Sequence, residues 1–565
     1  MKRFLKLPNI FLVLLFAFTF LLLIGSARSN SATTDETVHL FAGYTYLVER
    51  DFRLDPEHPP LLKELAAASL LAMRNLNLPI DGLWDKAANF YYDSWKEARL
   101  LADSFFFTLG NNVSKILFLS RLPFIFLTLV LGFAVYYWAN KLYGKKAGIF
   151  AAFLILLMPN ILAHGLLINT DLGLTLFIFI SVYFWGEYLK KPSWKGLILA
   201  GIFCGLAFAS KYTSVLIVPI LLILGVIKIF IDKNSKYWIK YLLGFFGIGI
   251  ITFIIVWFSY GFSIATPPQP IGTLSENIKM WANWDIPTLF DGTFEKIRPV
   301  LFPADYYKGL ILVTRHALGG HGSFLLGKTS NTGWWYYFPV AIFVKTPIPF
   351  FIFLALAIGI FGKIKAKLLF DELLLIIAPI IFLVFSMYSK ADLGVRHILP
   401  IFPFLAVYAA KSIKLVKFSE IKIVNYDLKK LMSALVFLLL ILWYLLSSVL
   451  SYPNYLAYFN EAAGGAKGGY KILTDSNLDW GQDIFRIKKY LDENKISEGY
   501  ILYPWDGNEA LQYYGINLKT FPWDSQDIKG RVVVSATYMQ LGELKWLDQY
   551  PREQITPGVF IFDLR

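Results

Sequence analysis

Apolar residues fall in long runs along this chain, and short connections that carry most of its lysines separate them. A hydrocarbon core about 30 Å thick takes roughly 20 apolar helical residues to cross. Runs of that kind lie at 9–26, 116–138, 147–163, 168–187, 196–210, 212–231, 241–260, 336–361, 372–388, 396–410 and 431–450, which predicts about eleven transmembrane helices. The third, fifth and tenth are the shortest. The first follows Lys2, Arg3 and Lys6 and ends in Gly25, Ser26 and Ala27. That is also the form of a signal peptide. We read it as a retained anchor, and either form exports the segment behind it.

With the N-terminus inside, alternate connections collect Lys141, Lys145 and Lys146, then Lys190, Lys191 and Lys195, then Lys228, Lys233, Lys236 and Lys240, then Lys363, Lys365 and Lys367, and six lysines from Lys411 to Lys430. The opposite connections hold little beyond Lys211, Lys390 and Arg396. Such asymmetry orients a membrane protein by the positive-inside rule. It makes residues 1–450 a transmembrane domain in the plasma (inner) membrane, with external loops at 27–115 and 261–335. Residues 451–565 follow as a small extracytoplasmic α/β domain. Within that domain, strands are expected at 499–503, 531–536 and 559–562, beside a helix whose apolar face is Ile484, Ile487 and Leu491. In the first loop, residues 60–73 form an amphipathic stretch suited to the bilayer surface. The second loop, broken by Pro267, Pro268, Pro270, Pro287, Pro299 and Pro303, is expected to be loops and short helices.

Composition supports the membrane assignment. Over 565 residues, 56% are hydrophobic and only 17% charged, with a mean hydropathy of +0.53. A water-soluble chain of this length is excluded. The net charge of +14 is mostly the cytoplasmic lysine already counted, so nucleic acid is not an expected partner. The single cysteine, Cys204, excludes a disulfide framework and a thiol metal site.

The informative residues are the ionisable ones that membrane burial penalises. Asp35 and Glu36 follow the first run, and Glu57 and His58 sit in a Pro-Glu-His-Pro-Pro stretch. Arg121 opens the second run, Asp171 the fourth, and Arg396 and His397 the tenth, while Lys211 lies between the fifth and sixth. All fall at the external ends of their helices, so one external cavity lets them meet. Each also has an ordinary structural reading. Asp35 can start a helix, Glu57 and His58 can form a turn before a proline-initiated helix, Arg121 can snorkel, Asp171 can cap, and Lys211 can sit at the interface.

These residues also carry a resemblance. The run from Asp35-Glu36 to Gly43-Tyr44, followed by Asp55-Pro56-Glu57-His58-Pro59-Pro60-Leu61, resembles the first external loop of family-39 glycosyltransferases. These are the bacterial relatives of protein O-mannosyltransferases and of lipid A aminoarabinose transferases, and share the C-type glycosyltransferase fold. Ser120-Arg121-Leu122-Pro123, Asn169-Thr170-Asp171, Ser210-Lys211-Tyr212 and Arg396-His397-Ile398-Leu399-Pro400 extend the resemblance in order along the chain. Gly333 to Pro339, Lys345-Thr346-Pro347 and Thr474 to Asp483 resemble bacterial lipid-carrier-dependent members. The resemblance implies inverting transfer of a hexosyl or pentosyl group from a polyprenyl-phosphate donor to an extracytoplasmic glycan, lipid or protein hydroxyl. Asp35 would be the base, with Glu36 beside it in the catalytic pair. Arg121, Lys211 and Arg396 would bind the donor phosphate, and His58, Asp171 and His397 would line the cavity. A divalent metal is a candidate cofactor with Glu57 as a ligand, and His316 or His321 could supply a second. His58 stands where the aminoarabinose enzymes often have Lys. Residues 261–335 are too few for the β-trefoil that eukaryotic protein mannosyltransferases insert there.

Two other readings compete. Asp475, Asn477 and Asp479 have the first three spacings of an EF-hand loop, but Trp480 replaces its glycine and Arg486 its final glutamate. A transporter or lipid flippase would also need many spans with buried charges, although it would place them near mid-span. The aromatic run at 334–337 suits an interfacial belt or a sugar-stacking platform.

Overall fold

The computed structural model describes residues 7–73, 75–79, 94–232, 237–263, 273–282, 289–362, 369–416, 428–505, 509–523, 528–542 and 544–565. Pro267, Pro268, Pro270, Pro287, Lys233, Lys236, Lys363, Lys365, Lys367, Lys417 and Lys422 lie outside them.

Each of the eleven apolar runs is helical, but they are not equal. Seven helices are long and apolar enough to cross a membrane: Pro8–Ser29, Val113–Tyr143, Asp171–Lys190, Tyr212–Asp232, Trp238–Ser259, Leu369–Tyr388 and Leu428–Val449. An eighth span is a pair, Tyr337–Lys345 and Ile348–Gly359, bent by 106° around Thr346 and Pro347. Proline at the start of the second helix of the pair cannot supply the N–H that a continuous helix would need. The other three runs are shorter helices: Lys145–Leu156 with Pro159–His164, Trp194–Phe208, and Ile401–Ala409. The chain is thus a multi-pass helical membrane protein whose full-length spans number seven or eight among the described residues.

Small residues let the short helix Trp194–Phe208 pack tightly. A Cβ on Gly201 would lie 2.8 Å from the Ile251 side chain, and one on Gly205 2.7 Å from that of Ile255, so Trp238–Ser259 approaches at backbone distance. This is the small-xxx-small device of helices that have no hydrophobic effect to join them in lipid. At the lysine-rich end, acidic groups answer the lysines. Lys190 pairs with Asp371 at 2.6 Å, and Lys411 with Glu372 at 3.0 Å, the latter also bonded by the Tyr143 hydroxyl.

Residues 60–73, expected to suit the bilayer surface, pack against protein. They form Leu61–Ala67 and a 3-10 turn, and bury Leu62, Ala66, Ala67 and Leu70 against Thr34–Val48 and Val113–Tyr143. The apolar face of this amphipathic stretch is met by protein. The second loop is built as expected from short helices, Leu274–Ala282, Leu289–Leu301 and Ala304–Gly319, to which it adds a hairpin of β1 (Ser323–Leu325) and β2 (Lys328–Ser330).

The C-terminal α/β domain has one mixed sheet. Its strands are β3 (Tyr500–Leu502), β4 (Lys519–Thr520), β5 (Arg531–Ser535), β6 (Arg552–Thr556) and β7 (Val559–Asp563), in the order β4-β3-β5-β7-β6. β3 pairs parallel with β4 and β5, whereas β7 runs antiparallel to β5 and β6. Helix Ile484–Glu493 buries Ile484, Ile487 and Leu491, the face read from the sequence. β4 and β6 are edge strands, with Lys519, Thr520, Arg552 and Glu553 exposed, and apolar periodicity cannot reveal them.

Gly205→Ala is expected to lower the thermal midpoint of the detergent-solubilised protein, since overpacking costs about 1–3 kcal/mol. Gly249→Ala, where a Cβ meets nothing within 4 Å, is the control and is expected not to lower it. Equal midpoints for both variants would contradict the close packing.

Candidate functional site

The site begins where the first helix ends. Glu36, in the first turn of Thr34–Val48, accepts from the Thr33 backbone N–H at 2.9 Å and from the Ile168 N–H at 3.0 Å. Arg121 grips the same carboxylate with two bonds, Nε to Oε1 at 2.8 Å and Nη2 to Oε2 at 2.6 Å. Its remaining N–H groups donate to the carbonyls of Ala27, Asn30 and Ser31 at 2.7–2.9 Å. Both side chains are buried, Arg121 to 0% exposure. This corrects two expectations. A guanidinium has five donors in a fixed fork, and here all are used, so Arg121 has none left for a donor phosphate. Glu36 likewise is not a free catalytic carboxylate. Together they fix the angle at which the chain enters its second helix.

Asp35, one residue earlier, faces the other way. Its Oδ2 accepts from Arg396 Nη1 at 3.0 Å, and both side chains keep some exposure. The helix that carries Asp35 is seated by Gly43, where a Cβ would lie 2.1 Å from the Lys63 carbonyl oxygen. Arg396 lies over the Trp480 ring at 4.1 Å, and its buried Nε has no hydrogen-bond partner. Nearby, Lys211 Nζ donates to Asp171 Oδ1 at 2.5 Å, while Asp171 Oδ2 has no partner. His397 feels the charges of Lys211, Arg396, Asp171 and His58, and its Nε2 is buried and unpartnered. His164, next to Trp480 and within the field of Asp171 and Arg396, has an unpartnered Nδ1. Buried polar atoms normally find partners. Four here do not, on residues coupled to one another through their charges. The structure therefore brings Asp35, Arg396, Lys211, Asp171, His397 and His58 to one centre.

The Pro-Glu-His-Pro-Pro loop is held from behind. Asp55, fully buried with backbone φ +47°, accepts from Lys63 at 3.3 Å and sits against His39 Nδ1 at 2.8 Å and His58 Nδ1 at 3.3 Å. Burial pushes its carboxyl up, but Lys63, His58 and His39 together hold it well below the usual carboxylate range. Leu61 N–H bonds to the Ala209 carbonyl and Tyr212 OH to those of Pro56 and Tyr306, which ties this loop to Lys211. Glu57 points away and meets His316 Nδ1 at 3.3 Å, with the His321 ring 5.7 Å from that of His316.

The first residues of the C-terminal domain complete the centre. Asn477 accepts from Val395 N–H and donates to the Tyr337 hydroxyl and the Thr474 carbonyl, each at 3.0 Å. Its amide is thus occupied and cannot serve a calcium loop. Asp475, in the left-handed region at φ +58°, interacts electrostatically with Arg396, His321 and Asp35. Asp479 is buried against Gly558, with Oδ2 unpartnered. Of the aromatic run, Trp335 is exposed and Tyr337 buried, so the four residues share no one face. Sequence reasoning did not place His164 or His39 at the site, and it met Trp480 only as part of the Thr474 to Asp483 motif, whose aspartates it read as a helix start or an acceptor-side group. His39, one turn after Asp35, carried a local signal.

Comparisons with known proteins agree with the motifs over part of the chain. Residues 103–258 match the family model described as dolichyl-phosphate-mannose-protein mannosyltransferase, which bears out the resemblance over that segment. No curated protein matches the chain. Among solved structures, it is similar to ArnT from Cupriavidus metallidurans bound to undecaprenyl phosphate, at 12% identity and TM-score 0.48 over 97% of each chain. It is also similar to the oligosaccharyltransferase AglB from Archaeoglobus fulgidus, in complex with an inhibitory peptide and a dolichol-phosphate, at 14% identity and TM-score 0.49 over 98% of this chain and 74% of that one.

Two outcomes test this geometry. Glu36→Gln is expected to cost about 3–5 kcal/mol of stability, because it leaves a buried guanidinium without its counter-charge. An unchanged thermal midpoint would contradict the anchoring role. Burial and then the Asp483 carboxylate push Asp479 up to about 7. The folded state keeps that proton where the unfolded chain has released it, so this group's contribution falls as pH rises from about 4 to about 7 and is level above. The advantage of Asp479→Asn over wild type is expected to grow across that window in midpoints measured from pH 5 to 8. Parallel curves would contradict it.

Proposed function

We propose that this chain is an integral membrane glycosyltransferase of the C-type fold. It moves a sugar from a polyprenyl-phosphate carrier to an acceptor hydroxyl on the external face of the plasma membrane. The observation that carries the reading is the Asp35–Arg396 pair, with unpartnered polar atoms of Arg396, His397, Asp171 and His164 around it.

In this reading the acceptor oxygen attacks the anomeric carbon as Asp35 takes its proton. A carbon–oxygen bond forms to the acceptor while the bond to the phosphate oxygen breaks on the opposite face, which inverts the anomeric configuration. The proton passes from Asp35 to water afterwards. The carrier phosphate leaves as an anion in a site with little water, where fixed cations stabilise it strongly. Lys211 and Arg396 supply that charge, and His397 can donate to a phosphate oxygen. Arg396 touches both sides: Nη1 holds Asp35, and Nε is free toward the leaving group. Asp171 keeps Lys211 in place, and Asp55 does the same for His58.

A divalent metal, if bound, would supply Lewis-acid chemistry. Glu57 and His316, at 3.3 Å and with side chains 27% and 41% exposed, would hold it, with the His321 ring 5.7 Å from that of His316. His39, Asp55 and His58 also bring three ligand atoms within 4.8 Å of one another, but the Lys63 ammonium already occupies the charge position on Asp55.

Transfer from a radiolabelled undecaprenyl-phosphate sugar panel to lipid and glycan acceptors, by purified protein in nanodiscs, tests the reading. Asp35→Asn is expected to lower turnover by about 10²–10⁴-fold, the usual range for removal of a general base. Wild-type turnover in the variant would remove Asp35 from that role.

A further inference from the structure

The segment from Thr474 to Ile484, at the head of the C-terminal domain, is bonded into the membrane domain on two sides. On one side it holds the residues before Asp35. Thr34 N–H donates to the Trp480 carbonyl at 3.1 Å, Ser31 N–H to the Gln482 carbonyl at 3.2 Å, and Ser31 Oγ to the Gly481 carbonyl at 3.0 Å. On the other side it holds the residues before Arg396. Val395 N–H donates to Asn477 Oδ1 at 3.0 Å, and Ser476 Oγ donates to the Leu393 carbonyl at 2.5 Å. The two partners of the Asp35–Arg396 pair are therefore spaced by this segment rather than by membrane helices alone.

Trp480 sits between these two sets of bonds. It is 5% exposed and packs with Leu23, Ala27, Ile125 and Leu162 of the membrane bundle. Its backbone N–H is held by Gln482 at 2.7 Å and its ring by that apolar cluster, so the ring has little freedom to turn. The Arg396 guanidinium lies on this ring at 4.1 Å. A stacked guanidinium is held by its face while its N–H groups radiate from its edge. That arrangement suits a cation that must bond Asp35 with one nitrogen and keep Nε available to a second anion.

We propose that Trp480 is the positioning residue for Arg396, so that the C-terminal domain forms a wall of the donor-phosphate site. The proposal rests on the reading of Arg396 as a phosphate ligand. Without the ring, the guanidinium would keep its charge but lose the orientation that serves Asp35 and phosphate together.

Binding of undecaprenyl phosphate, without sugar, to the full chain in detergent can be followed by native mass spectrometry for Trp480→Ala, Trp480→Phe, Arg396→Ala and the double alanine variant. Trp480→Ala is expected to weaken binding about tenfold, equivalent to ~1.4 kcal/mol. Trp480→Phe is expected to stay within about threefold of wild type, because an aromatic face is retained. In the Arg396→Ala background the loss of Trp480 is expected to add nothing. A second readout needs no ligand: phenylglyoxal modification of Arg396, located by peptide mass spectrometry, is expected to run several-fold faster in Trp480→Ala and at the wild-type rate in Trp480→Phe. Trp480→Leu keeps apolar volume without the ring and replaces the alanine variant if that one does not fold. Full additivity with Arg396→Ala, or wild-type binding and modification rates in the ring-less variants, would overturn the proposal. If wild-type protein takes up no undecaprenyl phosphate, the donor reading fails, and the modification rates alone decide whether Trp480 pins Arg396.

Discussion

A guanidinium removed from water must have its charge and all its N–H groups answered by the protein, or burial costs several kcal/mol. Arg121 meets that condition through Glu36 and three carbonyls at the end of the first helix. The constraint reaches further than the pair. Because the carbonyls of Ala27, Asn30 and Ser31 are fixed to one atom group, the turn between Leu7–Ser29 and Thr34–Val48 has a fixed shape. Because Glu36 is fixed, its neighbour Asp35 is aimed to the other side. The centre at Asp35 depends on this turn in the way a catalytic group depends on a rigid support.

Two adjacent acids thus do different work. Glu36 is structural and completely bonded, while Asp35 is bonded once and partly exposed. The same division recurs among the basic residues. Arg121 is used up inside the protein, whereas Arg396 retains Nε and Lys211 lies in the same electrostatic field as His397. Lys345 is a third case: its Nζ is bonded by the carbonyls of Leu456 and Asn477 and lies over the Phe459 ring, where it joins the bent helix pair to the C-terminal domain. Charge near a helix end therefore does not by itself identify a ligand-binding group.

The membrane character, the positions of the apolar runs, the C-terminal domain and the apolar face of Ile484–Glu493 were legible in the sequence, because periodicity and long apolar stretches report burial directly. Which runs reach full length was not, since Thr346-Pro347 and Leu157-Met158 interrupt helices whose apolar character continues across the break. At the site, topology alone brought Asp35, Arg396, Lys211 and Asp171 to one end of the molecule. It could not assign Arg121 and Glu36 to each other, because sequence gives the end of a helix and not the direction of a side chain. Trp480 escaped for the complementary reason. It lies 445 residues from Asp35 by number, in a domain that composition marks as separate, and only tertiary packing puts its ring under Arg396.

The central claim is that the carrier phosphate binds at Arg396 and Lys211, on the side of Arg396 opposite Asp35. A cryo-electron microscopy structure of the protein with undecaprenyl phosphate tests it most directly. The account predicts phosphate density within hydrogen-bond distance of Arg396 Nε and Lys211 Nζ, with the Arg121–Glu36 pair unbroken. Phosphate bound instead to Arg121 with Glu36 displaced, or at the lysine-rich end beside Lys190 and Lys411, would contradict it.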